Sequence, residues 1–237
     1  MALLCWMAVV LAFFLSADNS VDAVDSSRLA TLVNGILREY RTPGMFSLAV
    51  SIPEDQNRNI EDILQEVFLS DPGDDVKNNN KNEVYVGSRV VAAKVLERSN
   101  RGADHAESRV VDHLSELFKK NNSNDFLLFY VYASPCVEKC SSDTHHESIL
   151  RRINAIREWK SYAVVFSKIF KPRNGQANTE QELSGALQRL GTYQGTEGQI
   201  GLNNIFRCDK RNNWMQCNSC LSGNQVQQYC ISDPKIQ

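Results

Sequence analysis

The chain has 237 residues, of which 42% are hydrophobic, so it can form one sizeable core, and disorder is excluded as its overall state. Its 26 Lys and Arg residues nearly balance its 28 Asp and Glu residues, which gives a formal net charge of -2. This balance excludes a protein whose whole surface is basic, so any nucleic-acid binding has to be local.

The amino-terminal segment has the pattern of a secretory signal peptide. Residues 3–15 are almost wholly apolar, and small residues suited to cleavage follow at Ala17 and Ala23. We therefore expect a signal peptide of residues 1–17 or 1–23. An apolar run of about 13 residues is shorter than the roughly 20 that span a bilayer, although a short membrane anchor is the alternative. With the signal removed, the sequence predicts a secreted protein without a membrane segment.

The first elements of the folded domain are a helix and a strand. Apolar residues at spacings of three and four follow Ser26 and Ser27, which predicts a serine-capped helix that ends near Tyr40. Residues 46–52 alternate between apolar and small side chains, as in a strand.

Residues 54–82 form an acidic insertion. Apolar residues repeat on one helical face from Ile60 to Phe68, which predicts a helix that packs on the domain. Residues 70–82 are rich in Asp, Asn, Pro and Gly, which predicts a polar loop that does not pack. The segment 54–75 holds eight acidic residues and one Arg.

Strands and helices then alternate. Residues 83–96 are rich in valine and predict a strand, and residues 126–132 form a continuous apolar run that suits a strand buried on both faces. Residues 162–170 predict a further strand, and a helix should begin at Thr179 and end at Gly191. This alternation predicts an α/β fold, a mixed α/β sandwich over residues 26–195. Residues 196–237 form a cysteine-rich extension.

Two segments that predict helix starts carry the residues of a candidate metal site. Asp104 should cap a helix that has His105 and Glu107 in its first turn. Pro135 is a favourable first residue of another helix, with Cys136 and Cys140 on one face near its N-terminus, where the helix dipole favours thiolates.

This combination of residues predicts a catalytic zinc site. One imidazole and two thiolates, His105, Cys136 and Cys140, supply three tetrahedral positions for Zn²⁺ and leave the fourth for water. Glu107 is placed to move protons between that water and a substrate. The alternatives are a surface histidine at 105, a disulfide between the two cysteines, and a helix-terminal acid at 107.

The remaining cysteines predict disulfides. Cys5 is removed with the signal, and the four cysteines at the C-terminal end form an even, clustered set that suits two disulfides in an oxidising compartment. Their spacing leaves all three pairings open, and a closed four-cysteine zinc site or a redox pair at 217 and 220 is the alternative. The four residues are Cys208, Cys217, Cys220 and Cys230.

The two-part motif resembles that of the cytidine deaminase superfamily, in particular its AID/APOBEC-like branch and the secreted members of that branch. The resemblance covers roughly residues 29–191 and depends on His105-Ala106-Glu107, on Ser134-Pro135-Cys136 followed by Cys140, and on the order of the elements. It implies a cytidine-deaminase-like α/β/α sandwich with a mixed sheet of about five strands. It also implies zinc-dependent hydrolytic deamination of cytosine to uracil.

The resemblance also implies substrate contacts. Members of the branch usually have Trp directly before Ser-Pro-Cys, where this chain has Ala133 preceded by Tyr132, so Tyr132 is a candidate replacement. Ser134 is a further candidate contact. By the same resemblance Asn100 would contact a ribose, and Phe170 would stack on a neighbouring base.

The substrate is predicted from charge. Residues 139–173 hold eight basic residues and three acidic ones beside the expected pocket. A basic rim suits single-stranded nucleic acid, although a solvated helix face with two loops is the alternative. A deaminase of free cytidine or deoxycytidine and a non-catalytic secreted binding protein with a structural zinc also remain open, as does adenine as the base. Separately, Asn121 begins an N-glycosylation sequon.

Overall fold

The computed structural model describes residues 24–55, 57–80, 83–99, 102–172 and 176–233. The predicted signal peptide lies outside the described residues. Within them, no helix has both the length and the apolar character needed to cross a membrane.

A mixed sheet of seven strands forms the centre of the fold, in the order β2-β3-β1-β6-β7-β8-β9. Only the β6–β7 and β7–β8 pairs are parallel. The predicted α/β class and mixed sheet are confirmed, whereas the expected number of about five strands was too low. The strands of this sheet are β1 (Phe46–Ile52), β2 (Tyr85–Val86), β3 (Val90–Lys94), β6 (Phe126–Ala133), β7 (Ser161–Lys168), β8 (Ile205–Arg211) and β9 (Trp214–Ser219).

Two short hairpins stand outside the main sheet, β4 (Leu96–Arg98) with β5 (Gly102–Asp104), and β10 (Leu221–Ser222) with β11 (Gln225–Val226). The helices cover both faces of the main sheet. Helices α1 and α2 pack on one apolar core, and α4 and α6 pack on the other. The helices are α1 (Ser26–Tyr40), α2 (Ile60–Ser70), α3 (Gly73–Asn79), α4 (Ala106–Val111), α5 (Leu114–Lys119) and α6 (Glu180–Thr192).

Helix α1 has the predicted extent but a different cap. The Asp25 carboxylate accepts hydrogen bonds from Ser27 N at 2.7 Å and Arg28 N at 2.8 Å. The expected serine cap was therefore wrong, because Asp25, the residue before both serines, accepts the hydrogen bonds at the helix start. Helix α6 has the expected Thr179 cap, reinforced by Glu182 in a capping box.

The insertion packs more fully than its sequence predicts. Helix α2 is confirmed, but the expected loop contains helix α3 and buries Val76 completely. The buried Asp71 carboxylate accepts hydrogen bonds from Tyr85 Oη at 2.8 Å, Ser88 N at 2.9 Å and Arg89 N at 2.6 Å. These bonds tie the segment down and turn the chain between β2 and β3, so the single strand expected over 83–96 is interrupted.

The parallel strands β6 and β7 position the candidate site. Their register pairs Phe126 with Ser161 and Ala133 with Lys168, so both strands end at the same edge of the sheet. Strand β6 is buried on both faces for most of its length, as predicted. Ligand sites in open α/β sheets lie beyond the carboxyl ends of parallel strands. The segment that holds Cys136 and Cys140 follows β6 at this edge.

The cysteine-rich segment is part of the sheet. Cys208 and Cys217 lie opposite each other on β8 and β9 and form one disulfide, and Cys220 forms the other with Cys230. The prediction of two disulfides is confirmed. Because Cys217 and Cys220 belong to different bridges, they do not form a redox pair with each other. Residues 196–237, set apart by composition, thus contribute β8 and β9 to the main sheet.

Candidate metal centre

His105 lies at the N-terminal boundary of α4, and Glu107 lies in its first turn. Asp104 does not cap the helix as expected, because its carboxylate binds Arg98 Nε at 2.7 Å. The backbone N–H of His105 instead donates to Glu147 Oε2 at 3.0 Å. A buried carboxylate from another loop therefore satisfies the helix start and holds the histidine in place.

The helix that carries His105 is shorter than predicted. It ends at Val111, and α5 begins as a separate helix at Leu114. Arg152 donates to Ser108 O at 3.0 Å and to Asp112 Oδ1 at 2.6 Å at this break. A side chain inserted beside a helical carbonyl is one of the usual causes of such an interruption.

The helix expected to begin at Pro135 is absent, and residues 137–141 form a turn instead. Cys140 N donates to Cys136 Sγ at 3.1 Å, and Ser141 N donates to Cys136 O at 3.2 Å. The cysteine sulfur thus takes the N–H that an α-helix would direct to Cys136 O. Arg189 Nε holds the end of the turn by donating to Ser141 O at 2.7 Å.

The turn brings three potential ligands together. Nδ1 of His105 and the Sγ atoms of Cys136 and Cys140 lie within 4.8 Å of one another, and both cysteines are buried. The two Sγ atoms are 3.0 Å apart and both thiols are free, so Cys136 and Cys140 do not form the alternative disulfide in this structure. One nitrogen and two sulfur donors on a buried, closely spaced group match the ligand preferences of zinc.

Glu107 adjoins this group. Its Oε1 lies 2.9 Å from Cys140 Sγ and 3.4 Å from His105 Nδ1, and the residue is 4% exposed. Burial opposes ionisation, but the hydrogen bond and charge of His105 keep the pKa of Glu107 below its ordinary value. A carboxylate at this position can accept a proton beside the ligand atoms.

Hydrogen bonds among His105, Cys136, Cys140 and Glu107 shift their pKa values in different directions. Burial lowers the pKa of His105, but hydrogen bonds to Cys136 and Glu107 outweigh it and raise that pKa to about 10. The hydrogen bond between Cys136 and Cys140 lowers the pKa of Cys136 to about 5, against the effect of burial. The same hydrogen bond, together with burial, raises the pKa of Cys140. Metal binding would displace these protons.

The ligand group opens into a groove of about 400 Å³. His105 and Cys136 form part of its wall, and Phe170 faces them from the segment after β7. Lys139 and Lys171 add positive charge. The groove therefore offers an aromatic ring and two cations beside the potential metal ligands, although Glu138 also lines it and Lys171 Nζ lies 3.6 Å from Asp233 Oδ2.

The other predicted substrate contacts are distributed differently. Ser134 is buried, and its Oγ accepts a hydrogen bond from Phe170 N at 3.0 Å, so it positions the aromatic residue. Tyr132 packs near Phe46, at 6.2 Å between ring centroids, on the face of the sheet that carries α1. Tyr132 therefore does not take the place beside the metal ligands that the resemblance implied. Asn100 lies outside the described residues.

Asn121, the predicted glycosylation site, has an engaged side chain. Its Nδ2 donates to Ser88 O and Leu117 O, each at 2.8 Å. Attachment of a glycan at this nitrogen would replace one of its two hydrogens and so at least one of these bonds. Glycosylation at Asn121 stays a prediction.

Glu147 is the main residue that the motif does not reveal. It lies in a polar loop, and nothing in its sequence neighbourhood distinguishes it from a solvent-exposed acid. Its side chain is nevertheless only 8% exposed, and it binds the backbone of His105. Only the tertiary contact identifies its role.

Comparison with known proteins gives a family match for most of the chain. The family model described as Secreted Novel AID/APOBEC-like Deaminase 1 matches residues 26–234. This range contains the potential metal ligands, Glu107 and both disulfides. Searches of curated proteins and of solved structures each returned no significant match.

Proposed function

The chain belongs to the Secreted Novel AID/APOBEC-like Deaminase 1 family, and from this premise we propose that it is a zinc-dependent hydrolase that converts cytosine to uracil in single-stranded nucleic acid. The observation that carries the proposal is the convergence of His105, Cys136 and Cys140, with Glu107 beside them, next to a groove that His105 and Cys136 line. Cytosine and water would give uracil and ammonia in this reaction.

His105, Cys136 and Cys140 would hold the metal. When bound, zinc supplies Lewis acidity and lowers the pKa of water to about 7. The remaining chemistry is proton transfer. Glu107 Oε1 lies beside two of the ligand atoms, where it can take a proton from water and deliver it to the ring nitrogen or the departing amine of the base.

The residues that line the groove favour a nucleic-acid substrate over an amine that has neither a base nor a phosphate. Phe170 provides an aromatic face for a base, and its position is fixed by Ser134. Lys139 and Lys171 lie on the same groove, where they can contact phosphates. Single-stranded nucleic acids are bound by this combination of stacking and positive charge.

The proposal is tested by uracil formation in single-stranded DNA and RNA by the secreted, zinc-loaded protein. We expect Glu107→Ala to abolish activity while the protein keeps its metal. Glu116→Gln removes an exposed carboxylate on α5, remote from the ligands, and should leave the activity unchanged. Equal uracil formation by the native protein and Glu107→Ala would refute the proposal.

Two other outcomes with a wider set of substrates would indicate a different function. Turnover of cytidine or deoxycytidine monomers, with no reaction on polynucleotides, would indicate a nucleoside deaminase. Bound zinc without turnover of any cytosine-containing or adenine-containing substrate would indicate a binding protein with a structural metal. Either result replaces the proposed function.

A further inference from the structure

A second cavity lies on the face of the sheet opposite the metal centre. Its volume is about 390 Å³, and it is bounded by the end of α1 and by residues of β6, β7, β8 and β9. Four cations line it, all of them on exposed residues: Arg38, Arg41, Lys168 and Lys210.

These four cations are not neutralised by the protein. Within the described parts of the chain, none of the four side chains forms a salt bridge or a hydrogen bond. The acidic residue at the cavity, Asp209, directs its carboxylate elsewhere. It accepts a hydrogen bond from Tyr229 Oη and lies 3.7 Å from Arg211 Nε.

Register places the Asp209 carboxylate and the Lys210 side chain on different faces of the sheet. Lys210 pairs with Met215, which packs on the α1 side, whereas Asp209, one residue earlier on β8, points to the other face. Positive charge thus accumulates around the cavity without a carboxylate to balance it. Such an arrangement attracts an anionic ligand.

The floor of the cavity supplies aromatic and hydroxyl groups. Tyr130 Oη donates to Ser167 Oγ at 2.9 Å, which leaves the serine hydroxyl hydrogen available to a ligand. Tyr132, half-buried beside Tyr130, presents an aromatic side chain to the cavity. Cations beside aromatic rings suit phosphates with attached bases.

The two cavities adjoin at the carboxyl edge of the sheet. Lys168 lines the second cavity, and Phe170 and Lys171 line the metal groove. Since Lys168 and Lys171 are three residues apart, their Cα atoms are separated by at most about 11 Å. One strand of nucleic acid can therefore pass over this edge from one cavity to the other.

We propose that this second cavity binds phosphate groups of the same single strand whose base enters the metal groove. The inference rests on the proposed function for the course of the strand. It adds to that function a binding site on the opposite face of the sheet, with Arg38, Arg41, Lys168 and Lys210 as the phosphate contacts and Tyr132 as a stacking surface.

The test is the affinity for a fluorescently labelled single-stranded oligonucleotide of about 15 nucleotides, measured by anisotropy at several salt concentrations. Arg38→Gln/Lys210→Gln removes two phosphate contacts, far from the metal ligands. We expect Kd to rise about ten-fold at 0.15 M salt, and the slope of log K against log salt to become shallower by about 1.4. Arg38→Lys/Lys210→Arg keeps both charges and should retain most of the affinity.

Arg28→Gln/Lys119→Gln is the matched control, since it removes the same net charge from residues that do not line either cavity. Thermal unfolding establishes that each variant is folded. An equal loss of affinity in the test and control variants would overturn the proposal. Calorimetric binding of deoxycytidine monophosphate that depends on Arg38 and Lys210, without an effect on the oligonucleotide, would instead assign the cavity to free nucleotides.

Binding and activity are measured separately, so the two proposals fail separately. Weaker oligonucleotide binding by Arg38→Gln/Lys210→Gln, with no deamination by the native protein, would support phosphate binding in the second cavity and refute the proposed function. Deamination of single strands by the native protein, with unchanged oligonucleotide affinity in Arg38→Gln/Lys210→Gln, would support the proposed function and refute phosphate binding in the second cavity.

Discussion

Glu107 is hydrogen-bonded to one of the potential metal ligands. The Cys140 thiol donates to Glu107 Oε1 at 2.9 Å. A thiolate has no proton to donate, so coordination of a metal by Cys140 would release this carboxylate oxygen. The residue that would carry protons becomes available when its neighbour acts as a ligand.

If Cys136 and Cys140 are zinc ligands, their replacement should remove the metal. Cys136→Ser and Cys140→Ser each replace a thiolate by a hydroxyl, which is a much poorer zinc ligand, so we expect bound zinc to fall from one equivalent to near zero after dialysis. Glu107→Gln keeps all three ligands and should keep the full equivalent. Elemental analysis of the folded proteins measures this. Full zinc occupancy in Cys136→Ser would contradict the assignment.

Glu147 positions His105 and should affect the metal without touching it. Glu147→Ala leaves the His105 N–H without its acceptor, and we expect zinc affinity to fall about 10–100-fold, as for other residues that orient a ligand. Glu147→Gln retains an acceptor oxygen and should restore most of the affinity. Competition with a chromophoric chelator measures the change.

Asp143→Ala is the control for Glu147, because Asp143 is an exposed acid in the same loop. It should bind zinc like the native protein. If Glu147→Ala also does so, Glu147 has no positioning role.

These residues show what the sequence could reveal of the site. His105, Glu107, Cys136 and Cys140 were recognisable because zinc chemistry restricts both residue type and spacing. Glu147 was not, since any side chain with a suitably placed acceptor can hold a backbone N–H. Tyr132 was misplaced because alternation along β6 directs it to the face opposite the ligands.

At the scale of elements, the acidic insertion depends on Asp71. Its carboxylate joins the segment after α2 to Tyr85 of β2 through one hydrogen bond and to the turn before β3 through two. Asp71→Ala would leave two backbone N–H groups without partners, and we expect a loss of about 2–4 kcal/mol in the free energy of unfolding. Urea denaturation measures it.

Asp74→Ala provides the comparison for Asp71. Its side chain is 92% exposed and lies 3.6 Å from Lys77 in the same acidic segment. We expect a change within about 0.5 kcal/mol. Similar losses in the two variants would mean that Asp71 does not anchor the insertion.

The elements that sequence failed to predict have a common cause. Periodicity identified α1, β1, α2 and α6, in which apolar side chains repeat with one period, and a continuous apolar run identified β6. It did not identify α3 or the turn at 137–141, where polar groups decide the backbone path through contacts distant in the chain. The Asp71 carboxylate and the Cys136 sulfur each bind N–H groups that local rules assign elsewhere.

At the scale of the whole molecule, the basic run at 139–173 has two roles. Arg152 binds Ser108 and Asp112, and Lys160 binds Asn124 Oδ1 at 2.6 Å, so these residues link elements of the fold. Lys168 and Lys171 instead line cavities, and Lys171 Nζ also lies 3.6 Å from Asp233 Oδ2. Net charge along the sequence therefore overstates the charge available to a ligand, and the second cavity gains its other cations from α1, the residue after it, and β8.

The C-terminal segment is held to the sheet by more than disulfides. Arg207 is 2% exposed, and its guanidinium donates to Tyr229 O at 2.7 Å, Ser232 O at 3.0 Å and Asp233 Oδ1 at 2.6 Å. A buried guanidinium needs such partners because an unpaired buried charge is strongly destabilising. Asp233 is the carboxylate that bonds it directly.

This contact predicts how stability depends on pH. The hydrogen bond from Arg207 lowers the pKa of Asp233 below its ordinary value, against the opposing effect of burial. Because the folded-state pKa is below the unfolded one, the stabilisation is fully present above about pH 4 and is lost as the pH falls through the folded-state value. Asp233→Asn should therefore be less stable than the native protein at pH 7, by about 1 kcal/mol or less, because the Asp233 side chain is half exposed to solvent and Arg207 keeps two carbonyl partners. The difference should shrink as the pH falls through the folded-state pKa of Asp233. Urea denaturation between pH 7 and 2.5 measures it, with Asp143→Asn as an exposed control, and a difference that stays constant with pH would show that the charge of Asp233 does not stabilise the fold.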